Sequence, residues 1–260
     1  MPLTRAGAAG AVAAQSVAVS KPDGYTLLFG WSGLSLIPHV DVLLGRPQPF
    51  TRKDFIPIAQ LSNSPPLLAV NAESPWRSLG EFVAEARRRP NELSHSSGGL
   101  YGISHIPLEL VKQAAGIRMK HIPFAGGAPA MTALLGRNAD ANICYPSVCL
   151  PHVRAGKIRL LAQFGAARLP DYSDVPTLKE LGYDVEYTSW VTIMAPAGAP
   201  AAIVARLRQA FVKIGQDPQF AAQMAKIGEP VEVRTGEEFL AFWDREYGAM
   251  EELLRRVVTK

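Results

Sequence analysis

Two glycine-rich stretches carry the residue types needed to bind a small anion. "SSGGLYGISH" (Ser96–His105) combines backbone N–H groups, serine hydroxyls and a predicted helix start, and "PFAGGAPA" (Pro123–Ala130) offers a second helix start. Free amides at a helix N-terminus favour a carboxylate or phosphate, because the donors and the positive end of the helix dipole point the same way. Each stretch alone is a weak signal, but their recurrence after successive predicted strands predicts a shared anion pocket.

The only two cysteines, Cys144 and Cys149, stand in "NICYPSVCLPH". Four residues separate them, which matches neither a CxxC redox motif nor a zinc pair. The default prediction is two free, mostly buried thiols. A disulfide is the alternative if the compartment is oxidising.

The sequence contains no GxSxG, GxxxxGK[ST] or HExxH motif, and no closely spaced Asp/Glu/His cluster with metal-ligand spacing. A cysteine hydrolase is the weaker enzyme alternative, since neither cysteine follows a glycine-rich elbow and one cysteine and one histidine fall within a single helical turn. The residues that such an enzyme would use are Cys144 or Cys149 with His152, His121 or His105.

The other two histidines give no catalytic signal. His95 is predicted to be a satisfied strand residue, and His39 is predicted to lie in a proline-rich loop without a partner. The sequence therefore predicts a protein that is not an enzyme and that needs no metal and no cofactor.

Charge and composition exclude several classes of partner. The net charge is +4, and the one tight basic run, "ARRRP" (Ala86–Pro90), ends a predicted helix, where cations face the negative end of the dipole. Apolar content is 48% and charged content 19%, and no apolar run approaches the ~18 residues of a membrane span. We expect a globular protein that binds no nucleic acid and whose modest positive field favours small anions.

The elements that position the two stretches alternate regularly between strand-like and helix-like segments. "YTLLFG", "FIPIAQL" and "PLLAVN" are strand candidates, and three strand, loop and helix units follow. The alternation predicts an α/β protein with parallel sheets, whose ligands bind at the carboxyl ends of the strands. "GEEFLAFWDREYGAMEELLRRVV" is predicted to be a C-terminal helix whose aromatic stripe is core.

The segment Thr4–Gly30 has two interpretations. Arg5, the apolar run Ala8–Ala14 and the small residues Ala18–Ser20 loosely imitate a secretion signal, but the run lacks Leu, Ile and Phe. The alternative is a glycine-rich loop that opens a short Ala-rich helix, followed by the turn "KPDG" and a buried strand.

Several motifs together resemble the substrate-binding receptors of tripartite tricarboxylate transporters, the Bug or TctC-like family. They run in order from Arg5 to the C-terminal helix, and "KPDGYTLL", "LPHVRAGKIRLLA" and "SW...APAGAP" are the most specific. The others are "SSGGLYGISHIPLEL", "HIPFAGGAPAMTALLGRNADANI" and "LPDYSDVPTLKELGY".

This resemblance implies a fold like that of type II periplasmic binding proteins, with two lobes that each contain a mixed or mostly parallel sheet flanked by helices. Lobe 1 would comprise residues 1–68 and 190–260, and lobe 2 residues 69–189. It also implies a periplasmic receptor that closes on a small organic carboxylate between the lobes and delivers it to membrane permease subunits. Thr4–Gly30 would then be an internal loop and helix, and periplasmic localisation rests on the family because the chain shows no convincing signal peptide.

In the family, a strand, a ligand-binding loop, a helix and a second strand normally precede the segment that matches Thr4–Gly30. We therefore expect an N-terminally truncated lobe 1 with uncovered apolar faces, and hence marginal stability or self-association. A truncated relic that binds nothing is the principal alternative function.

The resemblance also implies a set of ligand contacts. Ser97 and Ser104 would bind the carboxylate, while Trp31, Phe124 and Tyr145 would form an apolar wall. The family often has Asp-Asn at 144–145, Tyr-Lys-Gly at 124–126 and a small residue at 31, and these departures favour a small apolar or aromatic carboxylate over an amino acid. The full set is Trp31, Ser32, Gly33, Ser97, Gly99, Ser104, His105, Phe124, Ala125, Gly126, Cys144, Tyr145, Ser147, Thr188 and Trp190.

Overall fold

The computed structural model describes residues 1–258, and the chain divides into two compact units. Unit 1 comprises Met1–Asn63 with Ser189–Lys260, and unit 2 comprises Ser64–Thr188. Within residues 1–258, no helix is both long enough and apolar enough to cross a bilayer.

The helices and strands alternate along the chain as the sequence pattern predicts. Their order is α1 (Ala11–Ala18), β1 (Leu28–Trp31), α2 (Gly33–Leu43), β2 (Phe55–Ser64), β3 (Leu67–Asn71), α3 (Leu79–Arg88), β4 (Ser94–Ser97), α4 (Ile106–Ala115), β5 (Lys120–Pro123), α5 (Gly127–Leu135), β6 (Ala141–Cys144), α6 (Pro146–Arg154), β7 (Ile158–Gln163), β8 (Ser189–Pro196), α7 (Ala201–Gly215), α8 (Pro218–Lys226), β9 (Arg234–Thr235) and α9 (Gly236–Val258).

The sheet of unit 1 has the strand order β1-β8-β2-β9. β1 is antiparallel to β8, and β2 is antiparallel to β9. The prediction of parallel sheets is therefore wrong for these pairs. Strand direction here follows from pairing between segments far apart in the chain, which local periodicity does not report.

An aromatic cluster forms the core of unit 1. The ring of Trp190 lies 5.8 Å from that of Phe239, 6.1 Å from that of Phe242 and 6.2 Å from that of Trp243, with near-perpendicular geometry. These three residues come from α9, so the prediction that its aromatic stripe is core is confirmed.

The Ala-rich segment near the chain start is an internal helix. Ala11, Ala14 and Val17 of α1 are buried in the same core as the aromatic cluster. The prediction of a glycine-rich loop that opens a short helix is confirmed, since Gly10 precedes α1 with a φ of 103°.

The proline-rich segment after β1 is a helix, α2, and not the predicted loop. Pro38 lies inside it, and His39 Nε2 donates a 2.9 Å hydrogen bond to the carbonyl oxygen of Tyr247. His39 therefore has a partner, contrary to the prediction. Burial of α2 against α9 offsets the backbone hydrogen bond that an internal proline removes.

One edge of the unit 1 sheet carries exposed aromatic side chains. β1 lies at the end of the strand order, and Phe29 and Trp31 are 56% and 45% exposed. Their rings contact each other edge to face at 5.8 Å. Apolar surface of this kind is compatible with self-association, which stays a prediction.

The sheet of unit 2 has the strand order β5-β4-β6-β3-β7. β4 runs parallel to both β5 and β6, whereas β3 is antiparallel to β6 and β7. The parallel prediction thus holds for β5, β4 and β6 and is wrong for β3. Because these three strands run in the same direction, the loops that lead into α4, α5 and α6 all begin at the carboxyl-terminal ends of the strands, on one side of the sheet.

Candidate functional site

Three loops meet at the carboxyl-terminal ends of these strands: loop 98–104 after β4, loop 124–126 after β5 and turn 145–147 after β6. Loops 98–104 and 124–126 are in backbone contact, since a Cβ on Gly98 would lie 3.0 Å from the carbonyl carbon of Gly126 and 3.0 Å from the amide nitrogen of Gly127. The hydroxyl of Tyr145 donates a 3.0 Å hydrogen bond to the carbonyl oxygen of Ile103. The structure therefore brings together the two glycine-rich stretches that the sequence singled out.

Loop 98–104 uses several of its own amides internally. The Gly98 amide donates to Ser104 Oγ at 2.9 Å, the Tyr101 amide to His105 Nδ1 at 2.9 Å, and the Gly102 amide to the Gly99 carbonyl at 3.3 Å. These bonds fix the shape of the loop and leave fewer of its donors for a ligand than the sequence predicted.

The two predicted carboxylate-binding serines differ in accessibility. Ser97 is fully buried, and its Oγ donates to the Gly99 carbonyl at 3.0 Å and lies 2.6 Å from His121 Nε2. Ser104 is half-buried and accepts the Gly98 amide, which leaves its own proton free to donate. Ser104 is therefore the better placed of the two to reach a ligand, and Ser97 supports the loop.

The start of α5 offers two backbone donors that the predicted contact set omits. Gly126 precedes the helix with a φ of 129°, and Gly127 and Ala128 are exposed. Amides in the first turn of a helix have no intrahelical partner. Pro129 has no N–H, and the Ala130 amide donates to the Gly126 carbonyl, so Gly127 and Ala128 supply the free donors of this turn. The sequence signal that could have identified these two donors is Pro129, which is typical of the first turn of a helix.

Turn 145–147 lies inside a disulfide. The sulfur atoms of Cys144 and Cys149 are 2.03 Å apart, so the default prediction of two free thiols is wrong. The bond forms because the first turn of α6 folds back over the end of β6, which places residues five apart in sequence side by side. A disulfide has no nucleophilic thiol, and the cysteine hydrolase alternative loses its nucleophile. Cys144 is also only 3% exposed, which leaves little of its side chain for a ligand.

The predicted contacts in unit 1 lie on the neighbouring strands β1 and β8 or directly after β1. Ser32 Oγ is 2.8 Å from Ser189 Oγ, and the Ser32 amide donates to the Trp190 carbonyl at 3.1 Å. The indole of Trp190 itself is fully buried in the aromatic core. Its side chain offers no surface to a ligand, so we do not carry it into the proposed site. Gly33 begins α2, and Thr188 is half-buried at the end of unit 2.

A cluster of ionisable side chains lies beside loop 98–104. Glu109 Oε1 is 3.4 Å from His95 Nε2, 3.2 Å from His105 Nε2 and 2.6 Å from Lys112 Nζ. The ring of His121 stacks on that of His105 at a centroid distance of 3.8 Å. Sequence spacing did not reveal this cluster, because β4, β5 and the first turns of α4 bring together residues that are scattered in the sequence.

His95, His105 and Glu109 place three possible metal ligands within 4.8 Å of one another. Their hydrogen bonds favour protons over a cation in this position. The Tyr101 amide donates to His105 Nδ1, so a neutral His105 carries its proton on Nε2, the atom that faces Glu109. Lys112 occupies the same carboxylate oxygen. The surroundings of His105 and Glu109 therefore fit a hydrogen-bonded network better than a metal site.

Burial controls the charges in this cluster. Burial, with the neighbouring His105 and His95, lowers the pKa of His121 to about 3, and burial also lowers the pKa of His95. Burial alone would raise the pKa of Glu109, but hydrogen bonds from His105, His95 and Lys112 outweigh it and lower that pKa. At neutral pH the His95 and His121 rings are uncharged, so positive potential at the loops comes chiefly from backbone amides and helix N-termini.

We expect acid to destabilise the protein partly through His121. Its folded-state pKa lies below the unfolded value, so its stabilising contribution is complete above about pH 6.5 and is lost as pH falls toward about 3. Between the two pKa values the ideal slope is about 1.4 kcal/mol per pH unit, and the partial exposure of the ring reduces the total loss. Urea unfolding at several pH values should therefore show a shallower acid loss for His121→Gln than for the wild type. His152→Gln, outside the cluster, is the control, and parallel curves for all three proteins would contradict the assignment.

The comparison with known families identifies the chain. The sequence model of TctC, the tripartite tricarboxylate transporter family receptor, matches residues 4–244. The chain belongs to this family. The resemblance read from the sequence motifs is thereby confirmed.

A relative from Cupriavidus necator, the "UPF0065 protein in gbd 5'region", is 33% identical over 85% of this chain. The chain spans 66%, 66% and 63% of the lengths of three curated relatives, one of which is BugT of Bordetella pertussis. This chain thus corresponds to somewhat less than two thirds of each of those proteins.

Two solved structures share the fold. R. palustris Rpa4515 with adipate has a TM-score of 0.90 and 28% identity, with 96% of this chain and 84% of that chain covered. MatC from Rhodopseudomonas palustris with bound malate has a TM-score of 0.85 and 26% identity, with 95% and 85% covered. The predicted fold class, with two mixed sheets flanked by helices as in periplasmic binding proteins, is confirmed.

Proposed function

We propose that the protein is a periplasmic solute receptor that binds a small carboxylate and delivers it to membrane permease subunits. The observation that carries the proposal is the position of Gly98. Its amide donates to Ser104 Oγ, and a Cβ added to it would lie 3.0 Å from the Gly127 amide nitrogen, so the free hydroxyl proton of Ser104 and the free amides of α5 both lie close to one residue. The adipate and malate bound to relatives are small carboxylates, which supports the same ligand class.

The hydrogen-bond donors of this site carry no charge: they are two backbone amides and one serine hydroxyl. A carboxylate at the N-terminus of α5 would accept from the Gly127 and Ala128 amides and from the Ser104 hydroxyl, and charge-assisted hydrogen bonds of this kind are about twice as strong as neutral ones. Lys112 does not compete for the ligand, because it is paired with Glu109. The site therefore distinguishes a carboxylate by the geometry of its donors.

The rest of the ligand would meet apolar side chains in unit 2. Phe124 and Tyr145 are both half-buried, and each directly follows the carboxyl-terminal end of a strand of the unit 2 sheet. Position 125 is an exposed alanine, and the described part of β5 and α5 places no carboxylate next to it that could pair with a ligand amine. These features favour an apolar or aromatic carboxylate over an amino acid.

Calorimetry against a panel of acids tests the proposal. Light scattering first establishes the oligomeric state, and the panel then contains adipate, malate, benzoate and glutamate. We expect one of the first three to bind with a 1:1 stoichiometry at micromolar affinity, and glutamate to bind at least tenfold more weakly because its ammonium group finds no partner. A folded monomer that binds none of the acids would refute the receptor proposal, and aggregation would support the predicted self-association.

A further inference from the structure

We propose that the Cys144–Cys149 disulfide switches ligand binding: the protein binds its carboxylate with the bond formed and loses affinity when the bond is reduced. The proposal rests on the proposed function, because the bond acts on the same three loops. It assigns a role to the one covalent crosslink in the described part of the chain.

The bond ties the start of α6 to the sheet. Cys144 is the last residue of β6 and pairs with Leu67 of β3, so its backbone is held by the sheet. Cys149 lies in α6, and the bond closes a ring around Tyr145 and the first turn of that helix. Both cysteines are buried in the core of unit 2, where Tyr172 also donates to the Pro146 carbonyl at 3.4 Å. The turn is thus anchored on its inner side.

On its outer side the turn supports loop 98–104. The Tyr145 hydroxyl donates to the carbonyl oxygen of Ile103, and the next residue, Ser104, holds the Gly98 amide. A continuous path of contacts therefore runs from the disulfide through Tyr145 to the serine proposed to bind the carboxylate. Breaking the bond releases the first turn of α6, which frees Tyr145 to move and removes a support of the loop.

The switch needs a dithiol reductant. The S–S bond breaks, each cysteine sulfur takes one electron and one proton to become a thiol, and the two sulfurs of the reductant join in a new disulfide. Cys144 and Cys149 are 3% and 0% exposed, so a reductant reaches them only when the turn opens. Linkage is reciprocal, so a carboxylate that favours the disulfide form must make the bond harder to reduce by the same factor.

Calorimetry with a carboxylate from the panel tests the coupling. We expect dithiothreitol to lower the affinity of the wild type about tenfold, within the usual range for coupled sites, and the double variant Cys144→Ser, Cys149→Ser to show the same low affinity without reductant. Dithiothreitol should have no effect on the double variant, which controls for direct effects of the reductant. Equal affinity of oxidised and reduced wild type would overturn the proposal.

Hydrogen exchange provides a test that needs no ligand. The Gly98, Tyr101 and Gly102 amides are hydrogen-bonded within loop 98–104 and should exchange slowly in the oxidised protein. Reduction of the wild type should speed their exchange at least several-fold, while the amides of β2 in unit 1 serve as an internal control. A lower melting temperature with unchanged exchange of the loop would show that the disulfide only stabilises the core. If no acid binds the oxidised protein, the receptor proposal fails and the exchange result still decides the coupling.

Discussion

Replacing Gly127 by proline is expected to lower the affinity for a small carboxylate at least tenfold, because the change removes one charge-assisted hydrogen bond worth about 1.5–3 kcal/mol. Gly127 is the first residue of α5, where proline is well tolerated because the missing N–H has no helical partner. Gly126 before it has a ψ of 169°, which lies outside the helical region that is disfavoured for a residue preceding proline. Calorimetry against the carboxylate that binds the wild type measures the loss.

Gly127→Ala is the matched comparison. It keeps the N–H, and a Cβ at this position would meet no heavy atom of the protein within 4 Å. The difference in affinity between the proline and alanine variants therefore isolates the contribution of the amide. Melting temperatures of both variants show whether α5 is intact. If the two variants bind equally well, the carboxylate does not lie at this helix start, and the proposed site is wrong.

Replacing Trp190 by alanine is expected to lower the free energy of unfolding by about 3–5 kcal/mol, the usual cost of truncating a buried aromatic ring. The indole is fully buried and packs against three aromatic side chains of α9. Such a loss is a large part of the total stability of a typical domain, about 5–15 kcal/mol. Urea unfolding of the two proteins measures it.

Trp31→Ala is the control for this change, since both tryptophans belong to the contact set implied by the family. Trp31 is 45% exposed, and we expect its removal to change the free energy of unfolding by no more than about 0.5 kcal/mol. Trp190→Phe keeps an aromatic ring in the core and should fold where the alanine variant does not. If the Trp190→Phe protein has normal stability but binds the carboxylate tenfold more weakly, the Trp190 side chain contributes to the ligand site after all.

Much of the fold could be predicted because its signals are local. The Ala-rich α1, the strands of unit 2 and the amphipathic α9 each follow from periodicity and from glycine or proline at their ends. α2 could not be predicted in this way, since Pro38 argues against a helix and tertiary packing, mainly against α9, stabilises it. The antiparallel direction of β3 likewise depends on partners that lie more than seventy residues away in sequence.

The candidate site divides along the same line. The sequence indicated the glycine-rich loops, because glycine, serine and a following helix are adjacent in the chain. It missed the cluster around Glu109, since His95 and His121 come from two strands and meet only when those strands pair. It also missed the free amides of α5 as a distinct set. The folded geometry decides which donors of a loop are already hydrogen-bonded within the protein, and the sequence does not report this.

By itself the sequence determined most of the elements, the family and the positions of the glycine-rich loops, because each depends on residues close together in the chain. The tertiary structure decided the disulfide between Cys144 and Cys149, the burial of Trp190 and the hydrogen-bonded network around Glu109. These features depend on distances between side chains from different elements. Such distances are fixed only when the sheets pair and the helices pack against them, and no pattern of neighbouring residues encodes them.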